Sequence, residues 1–544
     1  MLASQVLIVM VAAIWLTIFA ERRGIEPPLL LAAVGLAASF LPGLPRPDID
    51  PQTILGVVLP PLLYSAAVDF SFQSFIRRIG SILNLGVLLV VVTTVAVGAV
   101  VGWVLPSLTL PAALVVGAVV APPDAVSAVA IGGKLGLPNR LMTILKGESL
   151  INDAAALTLF SAAVAASTGT HTLIASPWLY FLYAVVAGVI IGIVLGLVVH
   201  RIREHLTDPT LVTALAILTP FAAYALAQEI SASGVIAVVF AGFTLGHNAA
   251  ALSFAGRIRE REVWKVIEAL LEAFVFAYLG LQLRFVLDDA SHGGFSIPAL
   301  LLASGLALLT VIVVRIVWIA ATALLAGQRY RRWIAAGKPQ RKGQDMPHPL
   351  SWQENLALSW ASMRGVVTLA AAVGTPYFAM DGTRFLAREA IIPIAFAVAV
   401  GTLLLQGLTL PLLIKLLKIK DDDAPAERRR QVRLAVSIMR QAAVDLLNKM
   451  RGQRPPEETK LVEQLLTRVQ QAAGTGEDDV LDAERRQEMK RTLESMKDMM
   501  TAQRQALIAE RDAGRLDDEV MRQVLENLDI EEAVVASRAA RVAS

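Results

Sequence analysis

Cysteine is absent from this 544-residue sequence, which excludes disulfides and thiolate metal centres and leaves the compartment open. Histidine is scarce, with six residues scattered along the chain, so no metal-binding cluster can be read. No glycine-rich phosphate loop occurs, and no cofactor or nucleic-acid partner is expected. Charge is thin as well: charged residues make up 17%, against about a quarter in an average soluble chain. Hydrophobic residues reach 55% and the mean hydropathy is +0.60. That composition points to a membrane protein.

The charge that is present is unevenly placed. Residues 421–544 hold 21 Lys/Arg and 25 Asp/Glu, so an oily front of 1–420 precedes a polar tail of 421–544. The front reads as a transmembrane domain and the tail as a cytoplasmic helical segment. The run "DDDAPAERRR" after Lys420 marks a hinge, and tail segments such as "RRQEMKRTLESMKDMMTAQRQALIAE" carry apolar residues at helical spacing. The first apolar run, Gln5 to Ala20, has almost no basic residue ahead of it and no clear cleavage site before Glu21-Arg22-Arg23. It reads as a retained span.

A helix needs roughly 20 apolar residues to cross a bilayer. Runs of that kind recur from residue 5 to residue 417 and predict about thirteen spans. Alternate connecting loops differ sharply in Lys and Arg, with 18 in one set against 4 in the other. Basic loops stay cytoplasmic, which puts the N-terminus outside and the tail inside a cell membrane.

Two of the predicted spans look interrupted. The fifth reads "LPAALVVGAVVAPPDAVSAVAIGG", where Pro122-Pro123 remove backbone donors and clash with the preceding turn. The twelfth reads "ENLALSWASMRGVVTLAAAVGTP", with Arg364-Gly365 in mid-span. Opened backbone at membrane depth is tolerated only inside protein or facing a water-filled cavity. A matched pair of breaks predicts an all-α transporter of inverted repeats, with its site where the two broken helices cross. Asp124, at the first break, reads as the countercharge for half-helix N-termini, with direct ion ligation as the alternative. The carbonyls near Pro122 and Pro123 are the better candidates to face a cation.

"KGESLINDAAALTLF" places Glu148, Ser149, Asn152 and Asp153 on one apolar helix, where each ionisable group is costly. Helical geometry aligns Ser149 with Asp153 and Glu148 with Asn152, on two separate stripes. Ser149 and Asp153 are assigned to the ion path, as hard oxygen ligands for a small cation. Glu148 and Asn152 are assigned to packing, with Glu148 paired with Arg364, whose fork suits a carboxylate. No second buried arginine is clearly left for Asp153. A carboxylate taken out of water without a countercharge can trade a proton for a cation near neutral pH. Glu229, Glu272 and Arg315 are further charges at membrane depth or its edge, with Glu272–Arg315 as a possible pair.

These segments resemble the sodium–proton exchanger fold, in particular the bacterial branch of the cation:proton antiporter 1 family. The resemblance rests on "LPPLLYSAA", "APPDAVSAVA", "GESLINDAAALTLF", "SGVIAVVFAGFTLG", "MRGVVTLAAA" and "LLLQGLTLPLL", which run from residue 59 to residue 413. It implies thirteen helices, a homodimer, and a core domain moving against a dimerisation domain. It further implies Asp153 as carrier of cation and proton, Ser149 as ligand, a backbone carbonyl near Pro123, and a Glu148–Arg364 ion pair. Two positions depart from the pattern: Ser65 stands where many relatives carry an acid, and Pro123 where a threonine is common. Asn152, where the electrogenic branch has a first aspartate, leaves one titrating carboxylate and favours one-for-one exchange.

The function expected from the sequence is antiport of a monovalent cation, Na+ foremost and Li+ or K+ as alternatives, against H+, in a lipid membrane. A channel-like cation conduit and a non-transporting sensor acting through the tail are the competing readings. A channel does not need a single buried titrating carboxylate, and a sensor does not need both breaks.

Overall fold

The computed structural model describes residues 2–41, 54–70, 75–76, 78–124, 126–169, 177–206, 208–248, 254–291, 294–335, 349–379, 382–419 and 530. The expected tail and its hinge lie outside the described residues, Ile530 excepted. The chain divides into two units, 1–424 and 425–544, and the helical bundle belongs to the first.

The described residues of that first unit are helical and contain no strand. In chain order the helices are α1 (Leu2–Arg23), α2 (Pro27–Ala38), α3 (Leu59–Val68), α4 (Ile79–Val104), α5 (Leu110–Val120), α6 (Val126–Lys134) and α7 (Asn139–Thr168). Then come α8 (Pro177–His205), α9 (Pro209–Glu229), α10 (Gly234–His247), α11 (Phe254–Leu281) and α12 (Leu283–Ser291). The last are α13 (Ile297–Ala335), α14 (Trp352–Trp360), α15 (Val366–Val373) and α16 (Arg388–Leu417). Among the described residues, seven helices are long and apolar enough to cross a membrane, and α2, α3, α5 and α10 are shorter apolar helices. Two π-helical turns, Ile54–Val58 before α3 and Asn84–Leu88 inside α4, interrupt the regular hydrogen bonding.

Local chemistry explains many helix starts. Thr109, Asp208 and Ser233 accept backbone N–H groups at the first turns of α5, α9 and α10. Ser351 and Glu354 close a reciprocal capping box on α14. Burial separates centre from rim. The apolar window of α16 is 56% buried, whereas that of α13 is only 28% buried. Leu301, Val317 and Leu324 on α13 are exposed, as expected of a face turned to lipid.

Lipid tails are as apolar as leucine, so helix pairs in a bilayer are held by close packing rather than by a hydrophobic drive. The crossing of α2 and α11 shows this. A Cβ added at Gly280 would lie 2.6 Å from the Ala32 carbonyl oxygen and 2.7 Å from the Gly35 Cα. Only glycine permits that approach. Three large apolar clusters result: one joins α7, α11, α14 and α16, a second joins α3, α8, α9 and α10, and a third joins α4, α5, α13 and α16.

Candidate functional site

The proline pair falls where α5 stops: α5 ends at Val120 and α6 begins at Val126. Likewise α14 ends at Trp360 and α15 begins at Val366. The two non-helical stretches meet. The Asp124 N–H donates to the Met363 carbonyl at 2.7 Å, in an isolated antiparallel bridge. A Cβ on Gly365 would lie 1.9 Å from Asp124 Oδ2, so the carboxylate of Asp124 rests against the N-cap residue of α15. That is where a helix dipole favours negative charge.

Opening α5 frees its last carbonyls, and Arg364 takes them. Its Nε donates to Val120 O at 3.1 Å and its Nη2 to Ala121 O at 3.3 Å. Nη1 donates to the Ser362 carbonyl at 2.5 Å and to its hydroxyl at 2.6 Å. The Arg364 backbone N–H is received by Thr402 Oγ1 on α16 at 2.9 Å. The guanidinium is therefore committed to backbone oxygens at the breaks.

The expected Glu148–Arg364 pair is accordingly corrected. Glu148 on α7 is paired with Arg315 on α13: Nη1 donates to Oε1 in a very short contact and Nη2 to Oε2 at 2.9 Å. Arg315 also donates to the Leu358 carbonyl of α14, from Nε at 3.3 Å and Nη2 at 3.1 Å. The fork thus ties three helices together. The Arg315–Glu272 alternative falls with it, because Glu272 has Asp124 and Glu268 as its charged neighbours. Glu229 is the exposed last residue of α9.

Asn152 is fully buried, and its Nδ2 donates to the Pro123 carbonyl at 2.5 Å. This joins α7 to the first break. The Pro123 oxygen keeps a second lone pair, and Asn152 Oδ1 has no hydrogen-bond partner. Asp153, 7% exposed, follows on the same helix, with Asp124 as its charged neighbour. No ion pair to Asp153 occurs among the described residues. Ser149 is half-buried one turn before it.

Some of the surrounding chemistry was not anticipated. Glu268 lies near Ser65 and four residues before Glu272 on α11, a spacing that puts both acids on one face. Their pattern in "VIEALLEAF" was the available signal. Arg140 grips Glu354 with two bonds of 2.6 and 2.8 Å, and Arg203 meets Glu260 at 3.3 Å in a buried pair. No cluster of three metal-ligating side chains occurs among the described residues.

A helical bundle that sets a buried carboxylate, Asp153, beside Asp124 where two helices open has the architecture of an ion transporter. Residues 6–416 match the family described as sodium/hydrogen exchanger, transmembrane. The sequence is 29% identical over 541 residues to an uncharacterised Na+/H+ exchanger of Mycobacterium tuberculosis, covering 97% of this chain and 95% of that one. It is 28% identical over 455 residues to a Na+/H+ antiporter of Aphanothece halophytica, covering 83% and 80%. The fold resembles that of the sodium proton antiporter of Methanocaldococcus jannaschii, with a TM-score of 0.60 at 19% identity over 77% of this chain and 99% of that one. The chain belongs to the sodium/hydrogen exchanger family, in its bacterial cation:proton antiporter 1 branch, and is a transporter rather than an enzyme.

Proposed function

We propose that the protein exchanges Na+ for H+ one for one, by alternating access, with Asp153 binding either the cation or the proton. One observation carries the reading. Both buried guanidiniums near the site are committed, Arg315 to Glu148 and Arg364 to opened carbonyls, while Asp153 is buried without an arginine partner among the described residues. Its charge is then balanced by what it transports.

Asn152 in this reading is a positioning residue: its amide fixes the Pro123 carbonyl and leaves Oδ1 toward the path. Ser149 and the second lone pair of the Pro123 carbonyl complete an oxygen shell for the bare cation. Asp124 stays as countercharge at the α15 N-terminus. The wider arrangement is thirteen spans in inverted repeats, with the N-terminus outside, the 421–544 tail in the cytoplasm, and two copies forming a dimer. Sodium is favoured because the Aphanothece relative is a Na+/H+ antiporter.

The test is recovery of a pH-dye signal in everted membrane vesicles, adding Na+, Li+ and K+ in turn. Dequenching with Na+ that is lost in Asp153→Asn is the expected result. A dye signal unmoved by any of the three cations would refute the reading.

A further inference from the structure

A cavity of about 1090 Å³ is lined by α4, α7, α13 and α14 and by α8 and α10. It exceeds the ~300–1,000 Å³ that holds a drug-sized ligand. Its long wall is apolar and includes Val189 of α8 and Phe240 of α10. Leu83, Leu88 and Leu325 line it too and are 43%, 54% and 56% exposed. The groove therefore opens sideways, toward the lipid-facing surface. What enters comes from the bilayer.

The charged residues of its lining are both arginines. Arg78, immediately before α4, and Arg329, near the end of α13, both line it, with Asn84 and Ser81 beside Arg78. Neither arginine makes an ion pair among the described residues. Glu354, the carboxylate whose field Arg78 feels, is already filled by Arg140 and by the Ser351 N–H. Two arginines without carboxylate partners among the described residues, beside an apolar trough open to hydrocarbon, match the two chemistries of one molecule.

We propose that this groove binds an anionic diacyl phospholipid, with its phosphate on Arg78 and Arg329 and an acyl chain along the apolar wall. Basic pockets between membrane helices recognise such headgroups. The floor of the groove includes Ile151 and Ala154, the residues on either side of Asn152-Asp153. A lipid seated there bridges the helix bearing the carrier aspartate to α8 and α10, so it resists relative motion of the two sets and slows turnover. That last effect rests on the proposed antiport; the binding itself does not.

Native mass spectrometry separates the two. The protein is purified in mild detergent with equal phosphatidylglycerol and phosphatidylcholine, and retained lipid is counted per protomer. Wild type should keep phosphatidylglycerol selectively. An arginine near an anionic lipid contributes roughly fivefold, so Arg78→Gln with Arg329→Gln should lose about twenty-five-fold of that retention. The matching pair of lysine substitutions should keep most of it, and Ala326→Trp, which fills the trough, should lower retention of both lipids. Equal retention of the two lipids by wild type, or undiminished phosphatidylglycerol in the folded double glutamine variant, would overturn the proposal. No cation-driven dequenching in wild-type vesicles, with lipid selectivity intact, would instead strike only at the antiport reading.

Discussion

Glu148 and Arg315 face each other as a two-bond fork between α7 and α13, and the same guanidinium reaches the Leu358 carbonyl of α14. Removing one member of a buried pair strands the other charge, at a cost of about 3–5 kcal/mol. Glu148→Gln and Arg315→Gln should each lower the melting temperature in detergent, and the double variant should lose clearly less than their sum. The same cycle run with Glu148→Gln and Arg364→Gln should come out closer to additive. A larger coupling to Arg364 than to Arg315 would reverse the assignment.

That pair also marks the boundary of what the sequence discloses. The family segments, the apolar helices and the stop of α5 ahead of the proline pair are legible, because insertion into lipid imposes length and composition and proline ends a helix. Glu148 was legible as a packing residue needing a buried cation. Which cation it takes was not, since Arg315 and Arg364 are both buried arginines and sequence spacing carries no information across separate helices. The choice follows from the break itself: unwinding α5 releases the Val120 and Ala121 carbonyls, and Arg364, on the facing stretch of backbone, donates to both. Glu268 escaped notice for a related reason. Its meaning depends on Ser65, about two hundred positions away in sequence.

Gly365 tests the contact between the breaks. An added Cβ would lie 1.9 Å from Asp124 Oδ2 and 2.7 Å from its Cγ, so Gly365→Ala must displace the carboxylate or the backbone bridge to Met363. Overpacking of this kind costs about 1–3 kcal/mol. Gly305 on α13, where a Cβ meets nothing within 4 Å, provides the control. Gly365→Ala should lower thermal stability and abolish exchange, and Gly305→Ala should leave both within error. Normal transport by Gly365→Ala would mean that the two breaks need not touch.

Asp153→Asn should abolish exchange while the protein remains folded and elutes from size exclusion as wild type does. On the proposed mechanism, proton and cation compete for one carboxylate in the wild type. Once the proton holds the site most of the time, each unit fall in pH should therefore raise the apparent KM for Na+ about tenfold, with little change in the maximal rate at saturating Na+. A KM independent of pH across the active range would separate the proton site from the cation site.

The charge balance of the site makes a final prediction. If Asp153 alone releases its proton, the site is neutral with H+ and neutral with Na+, and the two half-cycles move the same net charge. Asn152 cannot titrate, and Glu148 remains matched by Arg315 in both states. Voltage then has nothing to act on. The group that would break the balance is Glu272, a half-buried acid with Asp124 and Glu268 as its charged neighbours. A proton carried by Glu272 in each cycle would make the exchange two protons per cation. Proteoliposomes with the voltage set by potassium and valinomycin, and transport driven by opposed Na+ and H+ gradients, decide between them. The null point should fall where the two gradients are equal, whatever the voltage, and it should not move in Glu272→Gln. A null point that shifts with voltage in the wild type, and stops shifting in Glu272→Gln, would identify Glu272 as a second proton carrier and end the one-for-one mechanism.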